Sequence, residues 1–159
     1  MSTGDFAFSD TDQAIVRELR ANGRATNQQI ADKLGLTATT VSSRIRRMEE
    51  LNQLRVVAVA DFAALGFDML LRVAVHVVGR PASAVAQDMS RIPEVFAAHL
   101  VTGRHDIDLL VALRDFRALN DLLKEELGKI EGVTKLTPTI VLDVIKYKFD
   151  VAPIHGSKQ

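Results

Sequence analysis

Between Thr37 and Arg47 the chain reads TATTVSSRIRR, in which Thr37, Thr39, Thr40, Ser42 and Ser43 offer hydroxyls and Arg44, Arg46 and Arg47 offer fixed positive charge. No acid interrupts the run. Hydroxyls donate and accept hydrogen bonds at short reach, and planar guanidinium groups match phosphate oxygens and the guanine edge. Val41, Ile45 and Met48 recur at helical spacing, which assigns one side of the segment to a core and leaves Thr39, Ser42, Ser43 and Arg46 on the other. The chemistry available to that surface is recognition of a nucleic-acid duplex. Thr39, Thr40 and Ser43 would approach base edges and Arg44, Arg46 and Arg47 phosphates, with guanine as the alternative target of Arg46. A solvated arginine face on an ordinary helical hairpin is the competing reading.

The neighbouring residues supply what such a helix needs to be held in place. Thr26 with Gln29 three residues on forms a capping box that opens a shorter helix, whose buried side is Ile30, Ala31 and Leu34. Gly35 then allows a left-handed turn, Leu36 anchors the turn, and Thr37 caps the reading helix. Together these residues make a helix-turn-helix pattern. Ahead of it, Ser9 caps a third helix with Asp10 and Asp12 beside its positive end and Ile15, Val16 and Leu19 inward; Asn22-Gly23 ends it. Asn52, tolerant of left-handed backbone, closes the reading helix near Leu51.

Composition bounds the rest. With 159 residues, 47% hydrophobic and 25% charged, the chain can form two small cores. It has no cysteine, so disulfides and thiolate metal sites are excluded and a reducing compartment, the cytoplasm, is expected. No apolar run reaches the roughly 20 residues of a membrane span, and MSTGDFAF lacks a signal pattern. Formal net charge is zero, and residues 1–60 hold eight Lys or Arg against seven Asp or Glu, so the helix arginines must act by position rather than by bulk charge. One weakly charged reading head binds poorly alone, which points to dimers or larger homo-oligomers.

Residues 1–53 are read as the helix-turn-helix DNA-binding domain and 54–67 as a linker, with a β-branched strand LRVVAVA at 54–60 followed by a turn. Residues 68–150 then alternate strand, helix, strand, strand, helix, strand. Leu71, Val73, Val75 and Val77 mark the first strand, with Arg72, Ala74 and His76 between them; Ala82, Val85, Ala86 and Met89 mark the first helix. Strands follow at 95–102 and around Ile107, Leu109 and Val111. Asp115 caps a helix carrying Phe116, Leu119, Leu123 and Leu127, Gly132 ends it, and a last strand is expected over 133–144. This order predicts an α+β protein whose second domain is a ferredoxin-like βαββαβ sheet covered by helices on one face. The other face is expected to be aliphatic and to pack on a second subunit. Residues 151–159 are expected to form a flexible tail.

From Phe8 to Phe149 the sequence resembles the Lrp/AsnC, or feast/famine, regulators, through NGRATNQQIADKLGLTATTVSSRIRRMEE, IPEVFAAHLVTGRHDIDLLVAL and GVTKLTPTIVLDVIK. The resemblance implies a sequence-specific, DNA-binding transcriptional regulator: a winged helix-turn-helix domain joined to an effector-binding domain, assembled as dimers and often octamers. It implies an amino acid or related metabolite as effector, bound near the loop Thr102, Gly103, Arg104, His105 and Asp106, with Thr137 and Thr139 close by and Asn120 and Asp121 as further candidates. In the loop a glycine turn exposes backbone N–H groups, Arg104 suits a carboxylate and Asp106 an ammonium; a plain hairpin turn is the alternative. Ser9 stands where the family usually has Asp, Asn52 where it has Gly, Phe62 where it has Pro, and His105 where Tyr or Phe is common. His105 with Arg104 before it makes the loop more cationic than usual and favours an acidic or extra-carboxylate effector.

Other functions fare worse. The four histidines lie on separate elements, and no nucleophile-elbow, phosphate-loop or metal-triad pattern occurs, so no catalytic residue, metal or cofactor is expected. An RNA-binding sheet needs aromatic side chains on its central strands, where only Phe96 is offered. Architectural DNA binding without an effector is the remaining alternative.

Overall fold

A computed structural model describes residues 8–147. They form two compact units, residues 8–58 together with Tyr147, and Val59–Lys146. The tail expected at 151–159 lies outside the described residues.

In the first unit, α1 spans Asp10–Ala21, α2 Asn27–Leu34 and α3 Ala38–Glu50. Each begins on a hydroxyl cap. The Asp12 N–H donates to Ser9 Oγ and the Ser9 N–H to the Asp12 carboxylate, both at 3.2 Å, while Thr26 and Gln29 exchange the equivalent pair at 2.9 and 3.2 Å. Gly35 takes the left-handed conformation at φ 65°, so the Leu36 N–H returns to the Ala31 carbonyl at 3.0 Å and the chain turns tightly into α3. Asn52 follows α3 at φ 53°, a left-handed conformation that asparagine tolerates and that closes the helix. Ile15, Ile30, Ala31, Val41 and Met48 are buried between the helices, with Leu34 and Ile45 packed at their margin.

Residues 54–60 form no strand. The β-branched run disposes the backbone to extend, but a ladder needs a second strand to take its N–H and C=O groups, and none lies alongside it among the described residues. Asp61 then caps a single tight turn, Ala63–Leu65, by accepting from the Ala63 N–H at 2.9 Å.

The second unit runs β1 Met69–Val77, α4 Ala82–Met89, β2 Val95–Leu100, β3 Ile107–Leu113, α5 Phe116–Asp121 and β4 Val133–Ile140. The sheet order is β2-β3-β1-β4, antiparallel throughout, which is the expected ferredoxin-like arrangement. Leu71, Val73, Val75, Ile107, Leu109, Val111 and Leu113 bury one face of the sheet against Val85, Met89, Leu119, Leu122 and Leu127. α5 continues through a widened turn, Leu122–Glu126, before ending at Lys129. Leu119 and Leu122 are buried at ordinary helical spacing, the widened turn then carries the buried stripe on to Leu127, and Phe116 at the head of the helix is exposed. β4 ends at Ile140 rather than Val144, because Val141 bonds to Leu70 and β1 begins at Met69, so nothing remains for the next residues to pair with.

The outward face of the sheet is mixed rather than aliphatic. Register places His99, Asp108, Ala74 and Thr137 in one row across the four strands, and Ala97, Leu110, Arg72 and Thr139 in the next. Arg72 and Asp108 form an ion pair across β1 and β3. The alternation that buries Val and Leu on one side delivers polar residues to the other.

Candidate nucleic-acid interface and effector loop

The capped turn sets α3 with Val41 and Met48 inward, and the 100° step per residue carries Thr39, Ser42, Ser43, Arg46 and Arg47 outward, all exposed. A shallow depression of about 480 Å³ follows, lined by Asn27, Ala38, Thr39, Ser42, Ser43 and Arg46. Asn27 is the residue sequence reasoning passed over. It opens α2 next to Thr26, and only the helix crossing places it against α3.

The hydroxyls divide by role. Thr37 and Thr40 lie 2.8 Å apart, and Thr37 also accepts from the Thr40 N–H at 3.1 Å, so this pair is occupied in capping. Thr39, Ser42 and Ser43 carry no such bond to the cap. The arginines divide too. Arg46 is 81% exposed and makes a loose in-helix pair to Glu50 at 3.6 Å, an interaction that water and salt readily replace. Arg44 instead reaches α1, donating to Asp12 Oδ1 at 2.9 Å and to Ser9 Oγ at 3.1 Å. Partial burial raises the Asp12 pKa, but the bonds from Ser9 and Arg44 outweigh it and hold the carboxyl below its ordinary value.

In the second unit the loop between β2 and β3 carries Thr102, Gly103 and Arg104 in the open, with Gly103 at φ 139°. Asp106 faces the other way. Its carboxylate accepts from the Val77 N–H at 2.8 Å and its own N–H donates to the Val75 carbonyl at 2.9 Å. β1 and β4 shift register between His76 and Val77, and Asp106 satisfies the N–H at that irregularity. His105 is half-buried, edge-on to His76 at 6.4 Å between ring centroids, and its buried Nε2 has no hydrogen-bond partner. Thr137 and Thr139 sit on the outward sheet face, opposite Ala74 and Arg72. Asn120 and Asp121 are exposed on α5, which packs on the inward face. The sheet therefore separates the threonines from the α5 pair within one chain. Phe96 is no stacking platform: its ring lies edge-on to Phe62 at 5.3 Å and Phe67 at 5.4 Å. Among the described residues no cluster of His, Asp or Glu suits a metal ion, and no helix is long and apolar enough to cross a membrane.

Residues 8–49 match the model of the AsnC-type helix-turn-helix domain, and residues 70–151 that of the Lrp/AsnC ligand binding domain. The chain belongs to the Lrp/AsnC family. Its relatives carry the name HTH-type transcriptional regulator, and this chain is a regulator of that type. One from Pyrococcus horikoshii, itself uncharacterised, is 30% identical over 87% of this chain and 88% of its own length. LrpA of the same organism is 28% identical over 87% of this chain and 99% of its own. Among solved structures, the feast or famine regulatory protein of Mycobacterium tuberculosis complexed with L-methionine is 31% identical, with a TM-score of 0.82, covering 92% of this chain and 100% of that one. Escherichia coli AsnC, at 20% identity and a TM-score of 0.79 over 90% of this chain and 97% of its own, shares the fold.

Proposed function

We propose that this Lrp/AsnC regulator reads duplex DNA with the outward side of α3, and that an amino acid or related small metabolite bound near the Gly103 loop tunes that reading. Thr39, Ser42 and Ser43 contact base edges, Arg46 and Arg47 engage phosphate, and Thr37 and Thr40 hold the turn that presents them. The observation that carries this is the exposed, acid-free strip of hydroxyls and guanidinium groups opposite buried Val41 and Met48.

The division into a reading domain (1–53), a linker (54–67) and an effector and assembly domain (68–150) belongs to the same proposal, as do homodimers, or octamers built from them, and a cytoplasmic location. Two heads on one dimer add their binding energies, which a chain of zero formal charge needs. The relative bound to L-methionine supports an amino-acid effector. Arg104 and the unpartnered His105 nitrogen favour one with an extra carboxylate. Effector binding then shifts the equilibrium between assemblies that space the heads differently.

Binding of genomic fragments across a salt series tests this. Arg46→Ala and Arg47→Ala should each weaken binding and flatten the dependence of log K on log salt by about 0.9 for each phosphate that is no longer neutralised, whereas Thr39→Ala should change sequence preference. Unchanged affinity and slope in both arginine variants, or uniform coverage of DNA with no metabolite effect, would overturn the proposal.

A further inference from the structure

Arg44 does different work from the two arginines that follow it. Its Nη1 lies 2.9 Å from Asp12 Oδ1 and 3.1 Å from Ser9 Oγ, across 32 and 35 residues of sequence. The other Asp12 oxygen, Oδ2, takes the Ser9 hydroxyl at 2.6 Å and the Ser9 N–H at 3.2 Å. One carboxylate thus caps α1 with one oxygen and holds α3 with the other. The pair is sheltered more than an ordinary surface bridge, with Arg44 37% and Asp12 19% exposed.

Besides this bond, Ile15 of α1 and Val41 and Met48 of α3 share the apolar core of the unit. Such packing resists separation but does not specify direction, because the hydrophobic effect is non-directional. A planar guanidinium bound to a carboxylate that is itself fixed by a cap does specify direction. We propose that Arg44 is a positioning residue for DNA binding: with Asp12 and Ser9 it sets the pose in which α3 offers Ser43, Arg46 and Arg47, and it neutralises no phosphate itself. The inference rests on DNA reading by α3 and adds a role to it.

Sign separates this from simple charge. If only electrostatic attraction to DNA mattered, Asp12→Asn would strengthen binding and Arg44→Met would weaken it; positioning requires both to weaken it.

The test uses the full chain and a duplex that the wild-type protein selects from fragmented genomic DNA, titrated across salt concentrations. Asp12→Asn and Arg44→Met should each lower affinity roughly five- to tenfold with the salt slope unchanged, and the double variant should bind no more weakly than the worse single one. Arg46→Met should instead reduce the slope by about 0.9 for each phosphate left without its cation. Stronger binding by Asp12→Asn, a reduced slope in Arg44→Met, or wild-type affinity in both would overturn the proposal. If Arg44→Met does not fold, Asp12→Asn decides alone by the sign of its effect. Wild-type behaviour of both Arg46→Met and Arg47→Met marks failure of DNA reading by α3 itself, which keeps the two failures distinct.

Discussion

The carboxylate of Asp106 accepts a hydrogen bond from the backbone N–H of Val77 at 2.8 Å, tying the entry of β3 to the point where β1 changes register with β4. The bond spans 29 residues and is partly buried. An Asp in a glycine-containing loop reads as a ligand for an ammonium group; in the fold it is first a backbone cap, with one oxygen already engaged. Asp106→Ala leaves the Val77 N–H without that partner and should destabilise the protein by about 1–3 kcal/mol. Asp106→Asn, which keeps an acceptor, should lose less. Urea denaturation of the two variants checks the order, and equal stability of Asp106→Ala and wild type would contradict the assignment.

His105 presents the opposite case, a buried polar atom with nothing to bond to. An unpaired buried nitrogen carries its full desolvation penalty, so Phe at this position should raise stability by on the order of 1 kcal/mol in the absence of ligand. Differential scanning calorimetry of His105→Phe measures it. A lower melting temperature would show that the imidazole makes a stabilising interaction in solution.

Acid should loosen the helix caps. Burial works against ionised Asp12, but Ser9 and Arg44 outweigh it, and the Ala118 and Arg117 N–H groups hold ionised Asp115; both carboxyls stay below their ordinary value. A folded-state pKa below the unfolded one gives stability that is complete above the unfolded pKa and is lost as pH falls through the folded one. The melting temperature should therefore drop as pH is taken below the ordinary carboxylate range. Asp12→Asn should remove part of that drop. An acid limb identical in the variant and wild type would exclude Asp12 as a contributor.

Much of this architecture was legible because its causes are local. Ser9 with Asp12, Thr26 with Gln29, Thr37 at the head of α3, and Asp115 with the Arg117 and Ala118 N–H groups all act within three residues, so the pattern of side chains nearly dictates the geometry; Thr40, read toward base edges, is instead drawn into the Thr37 cap. Gly35 and Asn52 fall in the left-handed region as their backbone freedom allows. The same holds for the strip on α3, since a helical step of 100° carries each residue to a known side.

Strand limits and partners were another matter. Residues 54–60 have the composition of a strand and lack a neighbour; β4 stops where β1 has no more backbone to offer. Arg44 and Arg46 are indistinguishable as members of a basic helix, yet one is held by α1 and the other stands in solvent. Asp106 and Val77 meet only once the sheet has closed, and the outward face is mixed because four strands in register put Arg72, Asp108, His99 and Thr137 among Ala74, Ala97 and Leu110. Helix caps, turns and faces were settled along the chain by interactions between near neighbours. Which charge is held, which strand is paired and which loop residue is free were settled only by tertiary structure, because those interactions join residues the chain keeps far apart.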